Sequence, residues 1–160
     1  MRLVRFLAVV VVGVLVAFLV GMRTKSPLVL GLVRRMNRAV MNPMQMRSAG
    51  TPGAYASIIR HQGRSSGRTY ETPVVVEPTG EGFVIALPYG DRADWVRNVL
   101  AAGSATIVHE DETFEVSEPE LVPMEQVADS FPEGDQQAHR LFAVDTALRW
   151  GHKAPLAASV

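Results

Sequence analysis

Between Arg5 and Arg23 the chain runs for 17 residues, FLAVVVVGVLVAFLVGM, without a charge. As an α-helix this run is about 25 Å long, a little short of a hydrocarbon core, and an arginine at each end can snorkel to close the gap. Twelve of residues 6–20 are Leu, Phe or Val. At about 0.3–0.6 kcal/mol each, their insertion gains on the order of 5 kcal/mol. The pattern predicts a transmembrane anchor over 1–25. A cleaved signal peptide is the rival reading: MRLVR suits its n-region, but GMRTKSP follows with two basic residues and no A-x-A site. Arg2 and Arg5 flank one side, whereas Arg23, Lys25, Arg34, Arg35 and Arg38 flank the other. The positive-inside rule then places the remaining chain in the cytoplasm, tethered to the cell membrane by a single pass.

The next periodic stretch is SPLVLGLVRRMNRAVMNPMQM. Ser26 can cap it and Pro27 suits its first position. Leu28, Leu32, Met36 and Val40 recur at roughly helical spacing, with Arg34, Arg35 and Arg38 on the polar side. An amphipathic helix is expected over 26–47, ended by Pro43. It either packs on the domain or lies on the membrane, and its methionines suit a soft core face or an apolar entry path equally. SAGTPG, residues 48–53, reads as a linker.

From Ala54 the period changes to that of strands. AYASIIRH, TPVVVEP, GFVIALP, SATIVHE and TFEVSEP are rich in β-branched and aromatic residues. EPTGEG is a turn and EDE a hairpin tip. DRADWVRNVLAAG predicts a helix capped by Asp91 and stopped by Gly103, with Val96, Val99 and Leu100 toward the core. VPMEQVADSF and QQAHRLFAVDTALRW also read as helices, the second with Leu141, Val144 and Leu148 on one side. Strands with one inserted helix give an α+β, mainly β, barrel over 48–160. Without alternating βαβ units, a Rossmann fold is not expected.

Charge changes this picture. The chain is formally neutral, yet residues 1–70 hold 11 Arg and Lys and no acid, while residues 71–160 hold all 16 Asp and Glu. A basic half beside an apolar run points to an anionic membrane surface, a phosphorylated ligand, or both. Nucleic acid is not expected, because no aromatic stacking motif accompanies the basic residues. The absence of cysteine removes disulfides, thiolate catalysis and Cys-ligated metals.

The candidate chemistry lies in HQGRSSGRTYETP, residues 61–73. Gly63 and Gly67 permit positive φ, Ser65 and Ser66 carry hydroxyls, and Arg64 and Arg68 carry forked cations that suit a phosphate. Such a loop between strands can form an anion nest or be a plain basic hairpin loop. It matches neither the Walker pattern nor the dinucleotide glycine motif. Trp95 and Asn98 are three apart and share a helix face, where they can flank a ring and bond it, or simply pack. In ALPYGD, residues 86–91, a buried strand opens into a helix whose N-terminus favours an electron-rich atom. The four histidines show no metal-ligand spacing, so no metal is expected. Scarce acid–base equipment suits a hydride-carrying cofactor, which supplies its own chemistry.

GRSSGRTYETPV, FVIALPYG and DWVRNVLAAG with the following SATIVHEDETFEV, in this order and spacing, resemble the deazaflavin-dependent nitroreductase family. The resemblance covers about residues 50–122, and VDTALRW extends it weakly. It implies a split β-barrel of the FMN/deazaflavin-binding type and the coenzyme F420, with FMN or haem as the alternative of related barrels. It implies that Arg64, Ser65, Ser66, Gly67 and Arg68 hold the phosphate and acidic tail. Pro73 and the backbone of Ala86, Leu87, Pro88, Tyr89 and Gly90 would lie against the ring system, and Trp95 and Asn98 would complete the pocket. Tyr89 is the candidate catalytic proton donor, with water as the alternative. The chain departs from the family at Ser65, often Lys, and at Tyr70, in some members Arg. Pairing into a homodimer is also implied.

Two functions follow. One is a membrane-anchored oxidoreductase, passing hydride from reduced F420 to a lipophilic electrophile such as a quinone or nitro compound. The other is a non-catalytic protein that holds a cofactor or lipid at the membrane. A tethered structural domain without a ligand is a third.

Overall fold

A computed structural model describes residues 1–156. Helix α1 (Arg2–Arg23) is followed by α2 (Pro27–Met36), a π-turn (Asn37–Met41) and a further helical turn, α3 (Asn42–Gln45). Then come β1 (Ser57–Gln62), β2 (Thr69–Val74), β3 (Glu77–Pro78), β4 (Phe83–Ala86), α4 (Asp94–Ala102), β5 (Ser104–His109), β6 (Glu112–Pro123), α5 (Glu133–Leu141) and β7 (Thr146–Pro155). The seven strands form one antiparallel sheet in the order β2-β1-β5-β6-β7-β4-β3. The architecture is α+β and mainly β, as expected.

The long strand β6 joins the two halves of this sheet. Its first half pairs with β5, from Glu112↔His109 to Ser117↔Ser104, while β7 follows it from Phe114 to Pro123. At Glu118, with φ 57, the backbone bends where the β5 pairing ends.

Side chains alternate about the sheet with period two. Phe83, Ile85, Leu148 and Trp150 enter the main core with Ile59, Val96, Val99, Ile107 and Val116. Val84, between Phe83 and Ile85, and Ala147, next to Leu148, enter a second cluster with Val122, Met124, Phe131 and Val144. Burial on both faces explains why FVIAL is a continuous apolar run rather than an alternating one.

Several local expectations change. VPMEQVADSF is not a helix: β6 runs on to Pro123, and two 3-10 turns follow, Met124–Gln126 and Ala128–Ser130. In QQAHRLFAVDTALRW the helix ends at Leu141, the chain turns through Ala143 at φ 50, and TALRW is strand. Leu148 is fully buried in β7 and Leu141 is exposed. Pairing with β4 and β6 outweighs the weak helical period there. The cap of α4 is Ala93 rather than Asp91, and Leu100 faces outward, whereas Gly103 ends the helix at φ 71. TPVVVEP is divided between β2 and β3. Pro43 does not stop its helix. The backbone stays helical from Pro27 through the π-turn to Gln45, and the wider turn just before Pro43 accommodates a residue without an N–H.

The end of α1 docks on the domain. Arg23 Nη1 donates to the carbonyls of Arg140 (3.1 Å) and Leu141 (2.7 Å) at the C-terminus of α5. Met22, Leu30 and Val33 pack together against Tyr89 and Phe142.

The strand assignment of Leu148 gives a direct check. Leu148→Ala is expected to cost about 2–5 kcal/mol, and Leu141→Ala at most about 0.5 kcal/mol, in urea unfolding of the detergent-solubilised protein followed by circular dichroism.

Candidate functional site

A cleft of about 1160 Å³ lies between the sheet and the N-terminal helices. One side is the β1–β2 loop, β2 and the start of α4; another is the turn after β4; the third is α2 and its π-turn. Eleven of the residues expected from sequence line it: Arg64, Ser65, Ser66, Pro73, Ala86, Leu87, Pro88, Tyr89, Gly90, Trp95 and Asn98. Gly67 and Arg68 do not; both lie exposed on the far side of the loop.

The loop is closed by its own backbone. Gly63 N–H donates to the Arg68 carbonyl and Gly67 N–H to the Gly63 carbonyl, both at 2.8 Å. Arg68 N–H donates to Ser66 Oγ (3.3 Å), and Arg64 N–H to Asn98 Oδ1 (3.2 Å). These four amides are therefore committed, and only those of Ser65 and Ser66 take no part in the closure. A Cβ at Gly63 would meet Ser66 Oγ and the Tyr70 ring, so a larger residue there would displace both side chains. Tyr70, the departure from the family pattern, contacts Ser66 Oγ through its hydroxyl (3.1 Å) and stacks on His61 at 5.9 Å.

A buried line of polar groups sets the position of Arg64. Asn98 Oδ1 accepts from Arg64 Nη1 (2.9 Å), and Asn98 Nδ2 donates to His61 Nδ1 (3.2 Å). This assigns His61 Nδ1 as an acceptor, so its proton sits on Nε2 and is donated to Thr72 Oγ1 (3.2 Å). Asn98 and His61 are both buried. Asn98, expected to complete the pocket, lines the cleft, and its amide oxygen holds Arg64. Nothing in the spacing of His61 marked it as the partner of Asn98.

Two further residues were not expected. Asp94 Oδ1 lies 3.4 Å from Arg64 Nη2, and its Oδ2 lies 3.3 Å from Arg38 Nη2. One carboxylate is thus shared by a guanidinium from the loop and one from the π-turn. Arg38 could not be placed here by sequence, because no local pattern joins residue 38 to residue 94.

No protein-family profile and no curated protein matches the chain. Solved structures similar to it include one described as an F420 reductase, at 14% identity and TM-score 0.44, covering 69% of this chain and 92% of that one. A heme storage protein from Vibrio cholerae is 10% identical with TM-score 0.45, covering 70% and 89%. An FMN-binding protein from Syntrophomonas wolfei is 12% identical with TM-score 0.42, covering 82% and 99%. Identities and scores at this level assign no family.

The shared carboxylate makes opposite predictions for its neighbours. Arg64→Ala is expected to weaken binding of an anionic coenzyme by about 1–3 kcal/mol, the range for hydrogen bonds to charged groups. Asp94→Asn is expected to tighten it, because both guanidinium groups are released, and Arg68→Ala to change it least. Fluorescence titration of the three variants checks the order.

Burial lowers the pKa of His61, with a backbone hydrogen bond at Gln62 opposing in part. Burial also lowers that of His139, with Asp135 opposing. Both therefore stay neutral in the folded chain after the unfolded chain has begun to take up protons, so stability is lost as pH falls below about 6.5. The midpoint of thermal unfolding is expected to drop from about pH 7 to about pH 5, and less steeply in His61→Gln, by calorimetry.

Proposed function

We propose that the chain is a membrane-anchored oxidoreductase that holds a deazaflavin or flavin coenzyme in this cleft and reduces a lipophilic electrophile such as a quinone or nitro compound. The observation that carries the reading is convergence: residues from four separate stretches of sequence meet on one cleft. Arg64, Ser65 and Ser66 offer a cation and hydroxyl donors to a phosphate. Pro73, Leu87, Pro88 and Trp95 offer an apolar wall to a ring system. The volume of about 1160 Å³ lies just above the roughly 300–1,000 Å³ usual for one small ligand, which suits a ligand as large as a coenzyme.

When bound, the reduced coenzyme supplies the hydride. The chain's own residues bind and orient. Arg64, fixed by Asn98, holds the anionic end, and the turn from Leu87 to Gly90 with Trp95 keeps water from the ring. The reduced acceptor also needs a proton, which the Tyr89 hydroxyl or water provides. Tyr89 lines the cleft and packs on Met22, Leu30 and Val33, so the residue in the catalytic role touches the helices that carry the anchor. α1 supports the membrane part of the reading: it has 22 residues, mean hydropathy 3.0, and an apolar window left unburied by the rest of the chain. The basic residues after α1 support a cytoplasmic domain.

One observation favours the non-catalytic alternative: the arginine that would hold the phosphate already has Asp94 and Asn98 as partners. The test is titration of the full-length protein in lipid nanodiscs with F420 and with FMN, then assay of the reduced coenzymes with quinones and nitro compounds. Binding with turnover is expected. Binding without turnover of any acceptor would leave a holding protein, and failure to bind either coenzyme would sink the oxidoreductase reading.

A further inference from the structure

From Leu28 to Gln45 the N-terminal helices carry two rows of residues, each stepping by four. Val33, Asn37, Met41 and Gln45 line the cleft. Leu28, Leu32, Met36, Val40 and Met44 are 85, 69, 51, 50 and 58% exposed. Only Met36 of this second row also reaches the cleft. A four-residue step overshoots an α-helical turn by about 40°, so four such steps would carry a row about 160° around the axis. The π-turn Asn37–Met41 reduces this drift, because its wider i→i+5 turn rotates each residue less. The inner row stays on the cleft and the outer row stays exposed beside it.

The outer row begins five residues after α1 ends at Arg23. Arg35 and Arg47, both exposed, accompany it, and among the described residues neither forms an ion pair. No acidic residue precedes Glu71. A second copy of the chain docked through this row would bring like charges together, which costs several kcal/mol. An anionic lipid surface satisfies both the apolar row and the arginines.

We infer that the face formed by Leu28, Leu32, Met36, Val40 and Met44, kept in register by the π-turn, lies in the headgroup region of an anionic bilayer with Arg35 and Arg47 on lipid phosphates. This rests on the reading of α1 as a membrane anchor. The helix then has two jobs: its inner row walls the cleft, and its outer row fixes the distance of the cleft from the membrane.

The chain has no cysteine, so single-cysteine variants carry a dye at one place only. Leu32→Cys and Val40→Cys test the outer row, Asn37→Cys the inner row, and Val12→Cys the anchor. Each is labelled with an environment-sensitive fluorophore in full-length protein in phosphatidylglycerol-containing vesicles. At 32 and 40 the expected result is a blue shift, quenching by headgroup-proximal nitroxide lipid, and protection from aqueous iodide, none of which is expected at 37. Arg35→Glu with Arg47→Glu is expected to reduce the lipid quenching at 32 and 40. A dye deep in the bilayer at 12 with dyes at 32 and 40 open to iodide would overturn the inference and leave the anchor standing. A dye at 12 open to iodide would overturn both. Shielding at 32 and 40 from both quenchers, with energy transfer between copies, would assign the row to a second chain and overturn the inference.

Discussion

One side-chain amide, that of Asn98, joins three elements that are distant in sequence. Its oxygen faces the β1–β2 loop and its nitrogen faces β1, while its backbone belongs to α4. Because it is buried, leaving either end unpaired would cost on the order of 1–3 kcal/mol. That penalty holds Arg64 over the cleft, fixes the tautomer of His61 and sets the spacing between loop and helix. A flexible basic loop would bind anions loosely; this one arrives with its arginine already placed, which reduces the ordering cost of binding.

Preorganisation has a counterweight in Asp94. A carboxylate at the first position of α4 is favoured by the helix dipole, and it also neutralises part of the charge an anion would seek. The cluster of Arg38, Asp94 and Arg64 keeps one net positive charge, so an anion entering the cleft would compete with the carboxylate for both guanidinium groups. The N-terminal helices thereby share a counter-ion with the β1–β2 loop, and whatever shifts one changes the field felt by the other.

The fold class was legible because β-branched runs, turn residues and the Gly103 stop are local signals. The errors fall where tertiary pairing decides. TALRW carries a helix-like spacing, yet β4 and β6 leave a gap that only a strand can fill, and Leu148 and Trp150 then alternate into the main core. Pro43 looked like a terminator because the compensating π-turn has no sequence signature. Within the site, Arg64, Ser65, Ser66, Trp95 and the residues after β4 were legible as chemistry. The partners that fix them were not, because His61, Asp94 and Arg38 meet only through the fold.

The sheet has two outer strands, and neither offers a clean template. β3 is two residues long and ends in Pro78. β2 contains Pro73, which has no N–H to donate, and α3 lies in contact with it. Short, proline-bearing or covered margins resist pairing with another chain. If α1 anchors the chain as proposed, neighbours in the membrane plane would collide often and face the same way, and such margins would keep that crowding from becoming fibrillar aggregation.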